Sequence, residues 1–202
     1  LETYIFESDE TGQVFVDALV ERARAGLEVL LLVDAFGGLR MSSQHMEALR
    51  NAGVELRFFG RFSHKNLSRW LNRDHRKLLL IDNQSAFLGG INISHEYVEE
   101  SEGGKGWHDI HVRVQGPVCA VLARTFSETW QDIGGTPLKL PEVPSQHEQG
   151  EWVMPLTSNH RGVRMRIRDH LLHALQYAES EVYLASAYFI PDRGLQKALQ
   201  AA

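Results

Sequence analysis

The sequence contains a single cysteine among its 202 residues, Cys119. One thiol cannot close an intrachain disulfide or supply the several ligands of a cysteine-rich metal cluster, which excludes a disulfide-stabilised fold. No apolar run approaches the roughly 20 residues that cross a bilayer as a helix. We therefore expect Cys119 to pack in a core, and the chain to be soluble or to lie on a membrane surface.

Excess positive charge is also absent from the chain as a whole, whose formal net charge is -5. Seven basic residues and one acidic residue nevertheless lie between positions 57 and 77, a net charge of +6, and the remaining residues carry -11. Such an asymmetry predicts that one face of the molecule binds an anionic partner.

Apolar periodicity predicts alternating helices and strands. The predicted helices cover residues 14–23, 42–51 and 118–130, and the predicted strands cover residues 27–33, 54–59, 77–81, 86–88 and 110–114. The first strand is aliphatic almost throughout, which indicates a central parallel strand buried on both faces. The turn-forming residues 82–85 favour a hairpin between the third and fourth strands. This order is typical of an α/β fold with helices covering the sheet.

A proline-containing segment separates this region from a second one. Residues 134–160 include Pro137, Pro141 and Pro144, and are predicted to be a linker. We expect residues 1–133 to form one lobe and residues 161–202 to begin a second, similar lobe. In that second lobe the pattern predicts a helix over residues 163–178, a strand over residues 181–187 and the start of a further helix. The segment that follows Tyr183 is similar to the one that follows Tyr4, which indicates a duplicated domain.

The residues most suited to chemistry follow the basic window. His75 and Lys77 are two positions apart, so in an extended backbone their side chains lie on the same side and Arg76 lies on the other. Gly89-Gly90 permits close approach of the backbone, and Asn92 adds an amide donor. An imidazole, an ammonium and an amide beside a glycine-lined surface suit a phosphoryl group, with no metal or cofactor required. Each piece alone is common, as a chance His-x-Lys or an ordinary glycine turn.

The full pattern is more specific. His75-x-Lys77, four residues, Asp82, six residues and Gly89-Gly90-x-Asn92 together match the HKD motif of the phospholipase D superfamily without a gap. Further matches make the chain resemble bacterial cardiolipin synthases most: Tyr4-Ile5-Phe6, Asp9, Gly12, Val33-Asp34, Asn72, Trp107-x-Asp109, Gly116-Pro117, Phe126, Trp130 and Tyr188-Phe189-Ile190-Pro191-Asp192. The resemblance implies a mixed β-sheet flanked by helices on both faces.

The resemblance also implies a mechanism and a role for each site residue. His75 is the expected nucleophile, forming a phosphohistidine, with acid/base duty as the alternative. Lys77, Asn92 and the backbone at Gly90 are expected to bind the phosphate. Asp109 resembles the carboxylate that orients the histidine, and Asp82 is expected to tie the turn of the motif by hydrogen bonds.

Superfamily members assemble one site from two motifs, and one complete motif is present. The resemblance therefore implies a longer protein whose second lobe, or an identical partner subunit, supplies the other half. The segment alone is expected to be inactive.

The implied function is that of a cardiolipin synthase-type phosphatidyltransferase acting on phosphatidylglycerol, with phosphatidylethanolamine as a further substrate. The alternatives are a phospholipase D-type phosphodiesterase or nuclease, and a noncatalytic binding module. The basic residues His64, Lys65, Arg69 and Arg73 could bind lipid or nucleic-acid phosphates, or form a solvated loop. They lie among aromatic residues, a mixture that suits the surface of an anionic membrane. The implied location is the inner (cytoplasmic) membrane of a bacterium, as a peripheral protein.

Overall fold

A six-stranded mixed sheet organises the first part of the chain. The computed structural model describes residues 1–60, 72–140, 150–157, 166–186 and 188–201. The strands are β1 (Glu2–Thr3), β2 (Leu30–Asp34), β3 (Glu55–Phe59), β4 (Leu78–Ile81), β5 (Ser85–Gly89) and β6 (His111–Gln115). Their order across the sheet is β3-β2-β1-β4-β5-β6.

The sheet has a parallel half and an antiparallel half. β1, β2 and β3 run parallel, whereas β4 runs antiparallel to β1 and begins an antiparallel run through β5 to β6. As a result β1, β2, β3 and β5 end, and β4 and β6 begin, at the same end of the sheet. We call this the top end. Segments far apart in sequence meet there, namely those that follow Thr3, Asp34 and Gly89 and those that precede Leu78 and His111.

Helices cover both faces of the sheet, as the resemblance implied. Helices α1 (Glu10–Arg24) and α2 (Ser43–Asn51) cover one face, and α3 (Val118–Asp132) covers the other. The alternation of side chains along β2 serves both layers, because Leu31 packs with the α1–α2 cluster and Leu32 packs with the α3 cluster. Cys119 is buried in the α3 cluster, where it serves packing as predicted.

Side-chain caps explain where the first two helices begin. The Asp9 carboxylate accepts a hydrogen bond from the Gly12 amide at 2.8 Å, so α1 begins at Glu10, four residues before the apolar stripe. The Ser42 hydroxyl accepts from the His45 amide at 3.1 Å and begins α2. A stripe shows which face is buried, but a cap determines the first residue of the helix.

The chain divides into two compact units, residues 1–153 and residues 154–202. In the second unit α4 spans Arg166–Gln176 and α5 spans Arg193–Ala201. The Asp192 carboxylate pairs with Arg168 and accepts a hydrogen bond from the Leu195 amide at 2.9 Å, which caps α5. The division falls inside the segment that we predicted as a linker, and the lobe boundaries themselves stay a prediction.

One strand prediction was wrong. Residues 181–186 form no strand, because extended backbone becomes a strand only when a neighbouring segment pairs with it, and no described residue does. Other predictions lie outside the described residues: the basic loop at His64, Lys65 and Arg69, most of the linker, the start of the helix predicted at residue 163, and Ala187. Across the described parts of the chain, no helix has the length and apolar character that a bilayer crossing requires.

Candidate active site

Residues at the ends of five strands, or next to those ends, meet at the top end of the sheet. Tyr4 follows β1, Asp34 ends β2, and the His75-x-Lys77 pair immediately precedes β4. Gly90 and Asn92 follow β5, and Asp109 lies two residues before β6. The antiparallel order β4-β5-β6 brings these last three segments side by side, because the exit of β5 lies between the entries of β4 and β6.

His75 and Lys77 lie on the same side of the backbone, as their spacing predicts. The Lys77 ammonium lies 3.1 Å from His75 Nδ1 and donates a hydrogen bond to the His75 carbonyl oxygen at 2.7 Å. The Tyr4 ring lies against both residues, 4.5 Å from the imidazole centroid and 5.3 Å from the ammonium. Arg76 lies on the opposite side, where it pairs with Glu2 and Asp74.

Burial sets the electrostatics of this pair. Lys77 is buried, which lowers the pKa of its ammonium to about 8, although the charges of Asp74 and Asp109 act in the other direction. Partial burial, together with the Lys77 charge, also lowers the pKa of His75. The imidazole is therefore neutral at pH 7, which is the state a nucleophile requires.

Asn92 is buried and makes two hydrogen bonds. Its Oδ1 accepts from the Ile5 amide at 3.1 Å, and its Nδ2 donates to the Tyr97 hydroxyl at 2.6 Å. These contacts join the segment after β1 to the segment after β5. One hydrogen of the Nδ2 group remains for a ligand, since an amide nitrogen carries two.

The double glycine leaves room for the segment that leads into β6. A Cβ on Gly89 would lie 2.2 Å from the Ile110 carbonyl oxygen, and a Cβ on Gly90 would lie 2.1 Å from Asp109 Oδ1. The Asp109 carboxylate therefore lies directly over Gly90, where it accepts a hydrogen bond from the Ile110 amide at 2.7 Å. Within the described residues Asp109 makes no hydrogen bond to His75. Burial lowers the pKa values of Lys77 and His111, and the charge of Asp109 partly opposes both decreases.

Asp82 lies away from the other motif residues. It follows β4, whose four residues span about 13 Å, so it lies at the end of the sheet opposite His75. Asp82 and Asn83 both have positive φ, 51° and 54°, as a tight hairpin turn requires. Its carboxylate makes no hydrogen bond to any described residue, so the turn depends on backbone conformation instead of the side-chain bonds we expected.

Two residues that support the site, Asp34 and Glu2, were not identified as site residues from the sequence. Asp34 is fully buried, and its carboxylate accepts hydrogen bonds from the backbone amides of Phe36 at 2.8 Å and Asp74 at 2.9 Å, which fixes the residue next to His75. Glu2 is also buried, and it contacts Arg76 on the side of the backbone opposite His75 and Lys77. Their signal in the sequence was an acidic residue inside or at the end of an apolar strand, which is costly unless it has partners.

A comparison with protein families shows which family this part of the chain belongs to. The family model "Cardiolipin synthase, PLD-like domain" matches residues 1–130, the part of the chain that contains the whole sheet and all but the last two residues of α3. The chain belongs to this family. The phospholipase D-like domain thus accounts for the HKD pattern as a unit, from His75 to Asn92.

Full-length relatives of this phospholipase D-like domain are longer than the chain. A cardiolipin synthase of Geobacillus sp. (strain WCH70) is 33% identical over 207 residues, which cover 100% of this chain and 41% of that protein. Cardiolipin synthase A of Pseudomonas aeruginosa (strain LESB58) is 31% identical over 202 residues, covering 98% and 41%. The chain thus spans about two fifths of the length of these relatives.

A solved structure is also similar, the phospholipase D family member Nuc from Salmonella typhimurium. It is 21% identical, has a TM-score of 0.45, and the match covers 65% of this chain and 74% of that one.

Among the described residues of the phospholipase D-like domain, no group of three or more histidine, cysteine, aspartate or glutamate side chains could hold a metal ion.

Proposed function

We propose that the chain is the first catalytic half of a cardiolipin synthase-type phosphatidyltransferase. The observation that carries this proposal is the contact between the Lys77 ammonium and His75 Nδ1 at the top end of a cardiolipin synthase, PLD-like domain. A neutral imidazole beside a buried cation is suited to attack a phosphodiester, because the cation stabilises the negative charge that develops on the phosphoryl oxygens.

The reaction has two displacements. His75 Nε2 attacks phosphorus, the bond from phosphorus to the leaving alcohol breaks, and a proton from the histidine of the second half neutralises that alcohol. A second alcohol then attacks the phosphorus of the phosphohistidine and loses its proton to the histidine of the second half, which now acts as a general base. The bond from phosphorus to Nε2 breaks and frees His75. Lys77, the remaining Asn92 hydrogen and the Gly90 backbone bind the phosphoryl oxygens.

The contact between Lys77 and His75 has a consequence for the tautomer. While the ammonium donates to Nδ1, the neutral ring carries its hydrogen on Nε2 and cannot attack through that atom. When Lys77 turns to a phosphate oxygen, the hydrogen moves to Nδ1 and the Nε2 lone pair becomes available. We assign Asp109 as the carboxylate that then accepts the Nδ1 hydrogen, which requires its side chain to turn from Gly90 towards His75.

The proposed substrates are phospholipids, phosphatidylglycerol first and phosphatidylethanolamine second. The names of the relatives support this choice. Two relatives whose matches cover 100% of this chain are both called cardiolipin synthase. We assign the second half of the site to a second lobe of the longer protein or to an identical subunit. We also propose that the protein acts at the inner (cytoplasmic) membrane of a bacterium and binds it through the basic residues between positions 57 and 77.

The test compares wild type with His75→Asn in the longer protein, given vesicles of radiolabelled phosphatidylglycerol. His108→Asn is the matched control, because His108 is an exposed histidine near the same end of the sheet. We expect His75→Asn to abolish cardiolipin formation with an unchanged circular dichroism spectrum, and His108→Asn to be active. Cardiolipin formation by His75→Asn would refute the assignment of the nucleophile. Exclusive production of phosphatidic acid by wild type would indicate a hydrolase instead.

A further inference from the structure

A buried cluster of charged groups lies beneath the His75-x-Lys77 pair. Glu2 of β1 lies opposite Leu78 of β4, which places its carboxyl beside the residues that precede β4. Asp74 and Arg76 turn to this side of the backbone, while His75 and Lys77 turn to the other. Glu2 is 1% exposed and Asp74 is 5% exposed, so water cannot solvate either carboxyl.

The single guanidinium in the cluster is directed mainly at Asp74. Arg76 Nε donates to Asp74 Oδ1 at 3.0 Å, the Arg76 backbone amide donates to the same oxygen at 3.3 Å, and Nη2 reaches Oδ2 at 3.4 Å. Nη2 also donates to the Thr129 hydroxyl of α3. Asp74 is therefore bound as a carboxylate, with a counter-ion and a backbone donor.

Glu2 has a different environment. Arg76 Nη2 lies 2.8 Å from Glu2 Oε1, but neither Glu2 oxygen accepts a hydrogen bond of normal geometry from any donor in the described residues. A buried carboxylate without donors is costly, whereas a carboxylic acid satisfies itself by donating its own hydrogen. Burial and the contact with Asp74 raise the pKa of Glu2 well above its usual value. Both carboxyls contact the same guanidinium, that of Arg76, so they lie close enough for Asp74 to accept a hydrogen from Glu2. Burial alone would raise the pKa of Asp74, but this neighbouring carboxyl and the Arg76 charge outweigh burial and lower that pKa.

We propose that Glu2 is a positioning residue, a neutral carboxylic acid that donates a hydrogen bond to Asp74 and, with Arg76, holds the backbone from which His75 and Lys77 project. Asp74 and Arg76 then form an ion pair of zero net charge beneath the site. Because side chains alternate along extended backbone, fixing Asp74 and Arg76 on the lower side fixes His75 and Lys77 on the upper side.

The consequence for catalysis follows from geometry. Loss of the Glu2 hydrogen bond would let the Asp74–Lys77 backbone shift while the reacting groups remain chemically intact. A misplacement of about 1 Å at a reacting centre costs up to about 100-fold in rate. The effect should appear in kcat, because the phosphate-binding groups are still present for substrate binding.

The test uses the longer protein and three variants. Glu2→Gln keeps a donor of the same shape and should retain kcat within about threefold, since an amide nitrogen replaces the acid hydroxyl as donor. Glu2→Ala removes the donor, and Asp74→Asn removes the charge that Arg76 requires; each should lower kcat at least about tenfold. Glu21→Gln in the exposed pair with Arg22 is the control and should leave kcat unchanged.

Two readouts separate this proposal from the proposed function, on which its activity measurements rest. Hydrolysis of a small chromogenic phosphodiester reports on His75 without lipid, so the variant order can be measured even if no cardiolipin forms. The infrared carbonyl band of a protonated carboxyl, present in wild type at pH 7 and absent in Glu2→Gln, reports the Glu2 hydrogen directly and requires no turnover.

The outcomes are distinct. The proposal is supported by that infrared band together with an active Glu2→Gln and impaired Glu2→Ala and Asp74→Asn. It is overturned if the band is missing, or if Glu2→Gln is as impaired as Glu2→Ala, because Glu2 would then act as a charged partner of Arg76. It is also overturned if Glu2→Ala changes KM alone, or folds normally with full kcat.

Discussion

The lowered pKa of Lys77 predicts how the reaction depends on pH. A cationic Lys77 is required to bind the phosphate, and its pKa of about 8 lies within the range that an enzyme assay can cover. The fraction of cationic Lys77 in the free enzyme falls from about nine tenths at pH 7 to about one tenth at pH 9. We therefore expect kcat/KM to decrease about tenfold between these two pH values, because this parameter reports groups of the free enzyme.

Two variants assign that decrease to Lys77. Lys77→Arg keeps a cation whose charge persists above pH 12, so its lower activity should not decline between pH 7 and pH 9. Asp109→Asn removes a carboxylate whose charge raises the pKa of Lys77, so its alkaline decline should begin at a lower pH than in wild type. The sign follows from the charge, since losing a nearby anion favours the neutral amine.

The assay uses the longer protein and a soluble short-chain phosphodiester, so that pH does not change the charge of a membrane surface. A protein sample kept at pH 9 and returned to pH 7 should recover full activity, which excludes unfolding as the cause. The reasoning fails if kcat/KM is constant between pH 7 and pH 9, or if Lys77→Arg shows the same decline as wild type.

Further predictions concern the packing around the site. Gly89→Ala places a Cβ 2.2 Å from the Ile110 carbonyl oxygen, a backbone atom that cannot move away. The clash of Gly90→Ala is with the Asp109 side chain, which can move. The thermal midpoint should therefore fall more in Gly89→Ala than in Gly90→Ala. Equal midpoints would contradict this order. Trp130→Ala removes a fully buried ring and should cost about 3–5 kcal/mol in urea unfolding, whereas the exposed Trp152→Ala should cost less than about 0.5 kcal/mol. A loss below about 1 kcal/mol for Trp130→Ala would refute the packing argument.

The fold could be predicted where apolar patterns reflect local burial. The strand predicted over residues 27–33 is present as the buried parallel strand Leu30–Asp34, whose aliphatic side chains face two helical layers. The start of α1 was missed by four residues, since a cap depends on Asp9 and a stripe does not report it. The strand expected after Glu181 failed because pairing is a property of two segments, and a single sequence window describes one.

The site could be predicted where spacing alone brings residues together. His75 and Lys77 needed only alternation along the backbone, and the structure brings them into contact. Asp82 was grouped with them because it shares the motif, but four strand residues carry it to the other end of the sheet. Asp34 and Glu2 were not identified as site residues, because their roles depend on contacts 40 and 74 positions further along the chain at Asp74 and Arg76.

The turn at Asp82 and Asn83 links the motif to folding kinetics. A hairpin of strands adjacent in sequence closes a short loop and forms in microseconds, well before contacts between distant segments. Two successive left-handed residues predispose this loop towards closure. Replacing Asp82 with a β-branched residue should therefore slow refolding while leaving the folded protein's turnover intact. The aspartate of the motif then contributes to folding through its backbone conformation, and the histidine and lysine contribute to the reaction.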